Sequence, residues 1–169
     1  FPYLAGFYSK DAILWAVLSN PEFSPELRRV IWGIGALTAF LTAFYMTRSL
    51  MMTFFGEYRG HGHPHESPWV VTAPLILLAL PSVFIGYWTI GPMLHGEFFK
   101  DSIIVNAAAH PAMAEIGKAF HGALAMATHS LMTLPFWLAL AGIVTAWFFY
   151  LKQPQVPAAI KARFEWVYT

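Results

Sequence analysis

The sequence predicts an all-α, polytopic membrane bundle of about four transmembrane spans, the first of them a discontinuous helix. Composition is the first reason: of 169 residues, 57% are hydrophobic and 11% charged, against roughly 45–50% and 25% in soluble domains. Charge-free length is the second. Ser67 to Leu94 and Ala119 to Leu151 contain no Asp, Glu, Lys or Arg, and Val30 to Gly56 contains only Arg48. Each stretch exceeds the roughly 20 residues a helix needs to cross an apolar core about 30 Å thick. Proline and helix-start signals at the borders of these stretches are the third.

The first apolar segment runs from Phe1 to about Leu18, with Lys10-Asp11 in its middle and Pro2 and Gly6 upstream; Asn20-Pro21 marks its exit. Ser24-Pro25-Glu26 supplies an N-cap, a first-turn proline and a first-turn acid, opening a second span over about 25–55. Ser67-Pro68 repeats the Ser-Pro start, and the third span continues over 68–90 until Gly91-Pro92 stops it, with Pro74 and Pro81 inside. Proline is tolerated there because hydroxyls and neighbouring helices satisfy the freed carbonyls. The stretch 95–130, with Glu97, Lys100, Asp101, His110 and Pro111, is expected along the surface or interface. The fourth span covers 131–151, where Trp147-Phe148-Phe149-Tyr150 followed by Lys152 form an aromatic belt with a cationic anchor. Gln153-Pro154 ends it and leaves a tail over 152–169 that could lie in the interface. With no internal repeat and no Gly/Ser-rich linker, 1–169 is expected to be one bundle rather than two domains.

Ten Lys and Arg against nine Asp and Glu give a net charge of +1. Scattered cations make no footprint for phosphates, so nucleic acid is excluded as a partner. Zero cysteines exclude disulfides and thiolate-held metal within the chain. Opening on Phe1-Pro2 without a basic region and cleavage pattern, the chain is expected to be a stretch of a longer polypeptide, with no signal peptide. Four spans place Arg28, Arg29, Lys100 and Lys118 on one side and Arg48, Arg59, Lys152, Lys161 and Arg163 on the other. Five against four leans toward a cytoplasmic His-rich connection and tail.

Chemistry concentrates at Lys10. At about 1.5 Å per residue, Asn20 lies roughly 15 Å away along a helix, half the apolar thickness, so Lys10 falls near the midplane. A cation there costs several kcal/mol and normally faces a bundle interior or aqueous cavity. Asp11 points about 100° away, so the two do not form a salt bridge along one helix face and each needs a partner on another span. Pro2 and Gly6 lead us to expect a helix interrupted near Lys10, as where transporters expose backbone groups to ions. A desolvated lysine can lose its proton where an arginine cannot, which makes Lys10 a proton carrier by chemical type. The competing reading is a short interfacial segment whose Lys10 reaches the headgroups.

Arg59-Gly60-His61-Gly62-His63-Pro64-His65-Glu66 spaces three imidazoles at i, i+2 and i+4 beside a carboxylate. These are acceptable zinc or nickel ligands, yet composition alone favours a solvated loop, and no metal site is assigned. His95, His110, His121 and His129 are too dispersed for a ligand set and are expected to be solvated or hydrogen-bonded. Arg48 is expected to reach outward or to pair with a carboxylate of a span outside the chain.

Ala5-Gly6-Phe7-Tyr8-Ser9-Lys10-Asp11 resembles the Gly-Phe-x-Ser-Lys-Asp signature of the subunit L / chain 5 family, the antiporter-like membrane subunits of proton-pumping NADH:quinone oxidoreductase, respiratory complex I. Phe44-Tyr45-Met46-Thr47-Arg48, Thr53-Phe54-Phe55-Gly56-Glu57 and His65-Glu66-Ser67-Pro68-Trp69 follow in the family's order, and Pro74-Leu75 to Gly86 continues the likeness. The resemblance implies a fragment of the distal half: the second broken helix and the three spans after it. A long lateral amphipathic helix is then expected to begin beyond Thr169.

It also implies the role of the site. The lysine matching Lys10 belongs to the family's proton pathway, and the aspartate matching Asp11 is its neighbour, so both are proton-translocation residues rather than catalytic ones. Redox chemistry is implied in partner subunits of the complex, which hold FMN, iron–sulfur clusters and quinone, while this chain touches membrane lipid and binds none of them. The inner (cytoplasmic) membrane is the implied location. The large subunits of multisubunit cation/proton antiporters and membrane-bound hydrogenases share the scaffold, and a non-pumping structural subunit is a third reading; His65-Glu66-Ser67-Pro68-Trp69 favours the NADH enzyme.

Overall fold

The computed structural model describes residues 3–56, 58, 60–63, 65–99, 102–103 and 116–167. Expectations resting on Phe1, Pro2, Glu57, Arg59, Pro64, Lys100, Asp101, His110, Pro111 and Thr169 lie outside the described residues. Every regular element among those described is helical. In chain order they are α1 (Ala5–Ser19), α2 (Pro25–Phe54), α3 (Trp69–Ile90) continued by a π-turn (Gly91–His95), α4 (Ala123–Ser130), α5 (Leu134–Trp147) continued by a second π-turn (Phe148–Lys152), α6 (Gln155–Arg163) and a 3-10 turn (Glu165–Val167). Three stretches are long and apolar enough to cross a membrane, Pro25–Phe54, Trp69–His95 and Leu134–Lys152. With α1 as a shorter apolar helix, this is the all-α polytopic membrane fold the sequence predicts.

Local chemistry explains the borders. Asn20 ends α1 in an extended conformation, and its side-chain oxygen accepts the Glu22 amide at 2.9 Å. The Arg28 guanidinium donates to the Leu18 carbonyl at 3.1 Å, placing a cation on the negative end of α1. Ser24 caps α2 as its sequence requires: its hydroxyl accepts from the Leu27 amide at 3.3 Å. At α3 the start signal acts one residue later. Pro68 itself stands at the N-cap with ψ 157, and its carbonyl accepts from Val71 at 2.9 Å and Thr72 at 3.2 Å.

Pro74 and Pro81 both lie inside α3. Ser82 and Thr89 donate their hydroxyls to the Leu78 and Ile85 carbonyls at 2.8 and 2.7 Å, the local back-bonding a hydroxyl offers a helix carbonyl. The expected stop at Gly91-Pro92 is a widening instead. Pro92 has no amide proton and its ring crowds the carbonyl four residues back, so the chain takes a π-turn through His95 before leaving the helix at Gly96. The fourth span widens similarly, closed by the Gln153 amide on the Phe148 carbonyl at 2.9 Å.

The packing falls into two compact units, 1–35 with 65–133, and 36–64 with 134–169. In the first unit α1 crosses α3 at Gly86. A Cβ there would lie 2.7 Å from the Ala5 Cα and 2.7 Å from Tyr8 Cδ2, so only glycine permits this approach. Tyr8, Ile90 and Ala127 form the buried cluster, with Phe7, Phe120, Ala123 and Met126 around it. Part of the stretch expected along the surface is therefore core: α4 buries Ala127 and Ser130, and the Ser130 hydroxyl is satisfied by the Ala127 carbonyl at 2.6 Å. The Tyr8 hydroxyl donates to the Ala123 carbonyl at 3.3 Å, joining α1 to α4. Tyr8→Phe is expected to cost about 1 kcal/mol, the usual net worth of one such bond, read as a lower thermal midpoint of the full-length parent protein in detergent.

In the second unit α5 crosses α2 by the same device. A Cβ on Gly142 would collide with the Phe40 carbonyl oxygen and lie 3.1 Å from the Phe44 amide. Phe44 meets Phe149 and Tyr150 at ring-centroid distances of 6.4 and 6.1 Å. The outer faces stay apolar: Leu75, Ile76, Leu77 and Leu78 in α3 are all half or more exposed, an arrangement suited to lipid or neighbouring helices and not to water.

Candidate functional site

α1 carries both candidate residues. The helix is unbroken from Ala5 to Ser19, so the interruption expected near Lys10 is not found there. The chain leaves helical geometry upstream, at Leu4 with ψ 148 and Tyr3 with φ 76. Gly6 sits in the first turn, where its carbonyl accepts the Ser9 hydroxyl at 3.2 Å, and no proline falls between Ala5 and Ser19 to break the ladder. Lys10 lies a turn and a half inside the helix. Fifteen residues span about 22 Å, short of the apolar thickness, so α1 has the length of a half-helix.

Consecutive positions on α1 send the two charges in different directions, as the 100° step requires. Lys10 is exposed and has no hydrogen-bond or ion-pair partner among the described residues. Asp11 is half-buried and lines a cavity of about 420 Å³ within the first unit. His95, His121 and His129 line the same cavity, with Trp15, Phe120 and other apolar side chains completing it. Sequence spacing misses this grouping. The three histidines come from the π-turn after α3, the segment before α4 and α4 itself, and only the packing of those elements against α1 brings them together.

Each imidazole is placed differently. The His95 ring stacks on Phe120 with centroids 4.1 Å apart and planes 19° apart. The His121 Nδ1 lies 2.8 Å from the Ala119 carbonyl; a carbonyl only accepts, so Nδ1 carries the proton and Nε2 is left as the acceptor. His129 reaches the cavity from α4, on the lining it shares with Asp11. His121 and His129 are exposed while His95 is half-buried, so the titratable groups run from a half-buried carboxylate to imidazoles at the surface.

The remaining candidates stand apart. His61, His63 and His65 are exposed, and among the described residues no three His, Asp or Glu are placed to hold a metal ion. Arg48 lies against an aromatic ring, its guanidinium carbon 5.3 Å from the Tyr150 ring centroid. Lys152 sits 5.6 Å from the Trp147 ring centroid, consistent with a cation anchored in an aromatic belt.

Spanning helices with apolar outer faces and a carboxylate–imidazole cavity against a short first helix define a multi-pass helical membrane protein. No protein-family model matches the chain. It is 46% identical to NADH-quinone oxidoreductase subunit L of Neisseria meningitidis serogroup A, over 99% of the chain and 27% of that protein. It is 35% identical to NAD(P)H-quinone oxidoreductase chain 5 of a Picosynechococcus, over 99% of the chain and 26% of the relative. Half of the chain is 52% identical to subunit L of Mycobacterium tuberculosis, covering 13% of it. The chain is a homologue of the subunit L / chain 5 proteins, matched along nearly its whole length, and it spans about a quarter of the length of the curated relatives it matches.

Proposed function

We propose that the chain is part of an antiporter-like membrane subunit of NADH:quinone oxidoreductase, in which NADH oxidation by quinone in partner subunits is coupled to proton transport across the membrane. The observation that carries this is 46% identity to a protein of that name over 99% of the chain. The site supports it chemically: α1 presents an exposed amine at Lys10 and a half-buried carboxylate at Asp11, two groups that take up and release protons. Lys10 and Asp11 are the proposed proton-translocation residues. Flavin, iron–sulfur clusters and quinone belong to the partners in this reading. With no cysteine, the chain offers no thiolate to a cluster, and its own part is to hold and move protons. The proposed setting is the inner (cytoplasmic) membrane, with the redox subunits of the same complex as partners.

Gentle purification of the full-length parent from native membranes tests the proposal. NADH:quinone reductase activity is expected to travel with it, together with flavin-bearing and iron–sulfur subunits. Recovery with small antiporter or hydrogenase subunits alone would overturn the respiratory assignment while leaving the membrane fold intact.

A further inference from the structure

The cavity of the first unit holds more proton chemistry than Lys10 and Asp11 require. Asp11 faces it from α1, His95 from the π-turn closing α3, His121 from the segment before α4, and His129 from α4. Lys10 and Lys118 do not line it, and the rest of the lining is apolar. Its position follows from the helix crossing. Ala5 and Tyr8 meet Gly86, whereas Asp11, Ala12 and Trp15 share the cavity with Ile90, Leu94 and His95. α1 and α3 therefore run parallel, and the cavity lies toward their C-terminal ends, away from Trp69.

We propose that this cavity is a proton port, in which protons pass between Asp11 and the aqueous phase by way of His129 and His121, with His95 as the inner imidazole. The inference rests on the proton-translocating reading above and extends it to three residues which that reading does not use. A proton leaves the Asp11 carboxyl, crosses cavity water and binds an imidazole nitrogen of His129; the imidazolium then releases a proton to bulk solvent, and carboxylate and neutral imidazole are restored. His121 serves in parallel through Nε2, since its Nδ1 is committed to the Ala119 carbonyl. No direct hydrogen bond joins Asp11 to an imidazole among the described residues, so transfer runs through water. A volume of about 420 Å³ has room for several molecules at about 30 Å³ each. Exposure orders the path, with Asp11 and His95 half-buried and His121 and His129 at the surface. Histidine suits the outer positions because it changes charge near physiological pH.

The test uses the assembled complex carrying the full-length parent, in membrane vesicles, with NADH-driven membrane potential as the readout because a weak base does not collapse it. His121→Gln, His129→Gln and the double variant keep a polar side chain of similar size at exposed positions and remove the titrating ring. The double variant is expected to slow proton transport several-fold, to lose the wild-type pH profile, and to recover when imidazole is added. Each single variant is expected to show a smaller loss of the same kind. If Lys10→Met stalls pumping while the histidine variants pump at the normal rate and pH profile, the port is wrong and the subunit assignment stands. If the histidine variants slow pumping without a changed pH profile or imidazole recovery, their role is structural and the port is again wrong. If Lys10→Met also pumps normally, the translocation reading falls and the port with it.

Discussion

Lys10→Met in the full-length parent is expected to lower the protons carried per NADH oxidised, or to stall NADH oxidation through coupling, with the complex still assembled. Methionine keeps the unbranched apolar stem and removes the amine. Lys10 is exposed and without a hydrogen-bond or ion-pair partner among the described residues, so the substitution removes no polar contact there, and subunit content measured beside transport separates a lost proton carrier from lost assembly. Lys10→Arg separates two versions of the role. Guanidinium keeps the positive charge but does not release its proton in a protein. If Lys10 acts by gaining and losing a proton, arginine is as damaging as methionine; if a fixed cation suffices, arginine retains transport. Reconstituted vesicles containing Lys10→Met that pump at the parental stoichiometry, at unchanged subunit content, would remove Lys10 from the pathway.

The spanning helices were legible because burial in lipid imposes a composition that needs no knowledge of packing: long charge-free runs with Ser-Pro starts, seen at Ser24-Pro25, mark their ends. The ends themselves were legible only where one residue decides them. At Gly91-Pro92 the same dipeptide that suggests a stop is absorbed by a π-turn through His95, because a wider turn relieves the proline at little cost when the helix is about to end. α4 was hidden for another reason. Its three alanines and one methionine carry no strong pattern, and its place in the core is set by Tyr8 and Ile90, residues more than thirty positions away. Lys10 and Asp11 stood out as charges in an apolar stretch. His121 and His129, ordinary by spacing, acquire a common surface only after α1, α3 and α4 have packed.

Gly86→Val is expected to be strongly destabilising to the first unit. The added Cβ would meet Ala5 Cα and Tyr8 Cδ2 at 2.7 Å each, closer than real Cβ contacts come, and the Ala5 backbone cannot swing aside as the end of a long side chain can. α1 must move away from α3, which loosens the Tyr8 cluster and lengthens the 3.3 Å bond from its hydroxyl to Ala123. Overpacking of this kind costs about 3 kcal/mol. The comparison is Gly33→Ala in α2, where no atom of the described residues lies within 4 Å of the new Cβ and helix propensity favours alanine by up to about 1 kcal/mol. Thermal unfolding of the purified full-length parent should therefore fall sharply for Gly86→Val and hold or rise for Gly33→Ala. Function should follow packing: displacing α1 carries Asp11 away from His95 and His129, so proton transport is expected to drop before NADH oxidation does. A Gly86→Val protein as heat-stable as its parent would show that α1 and α3 do not cross backbone to backbone at this glycine.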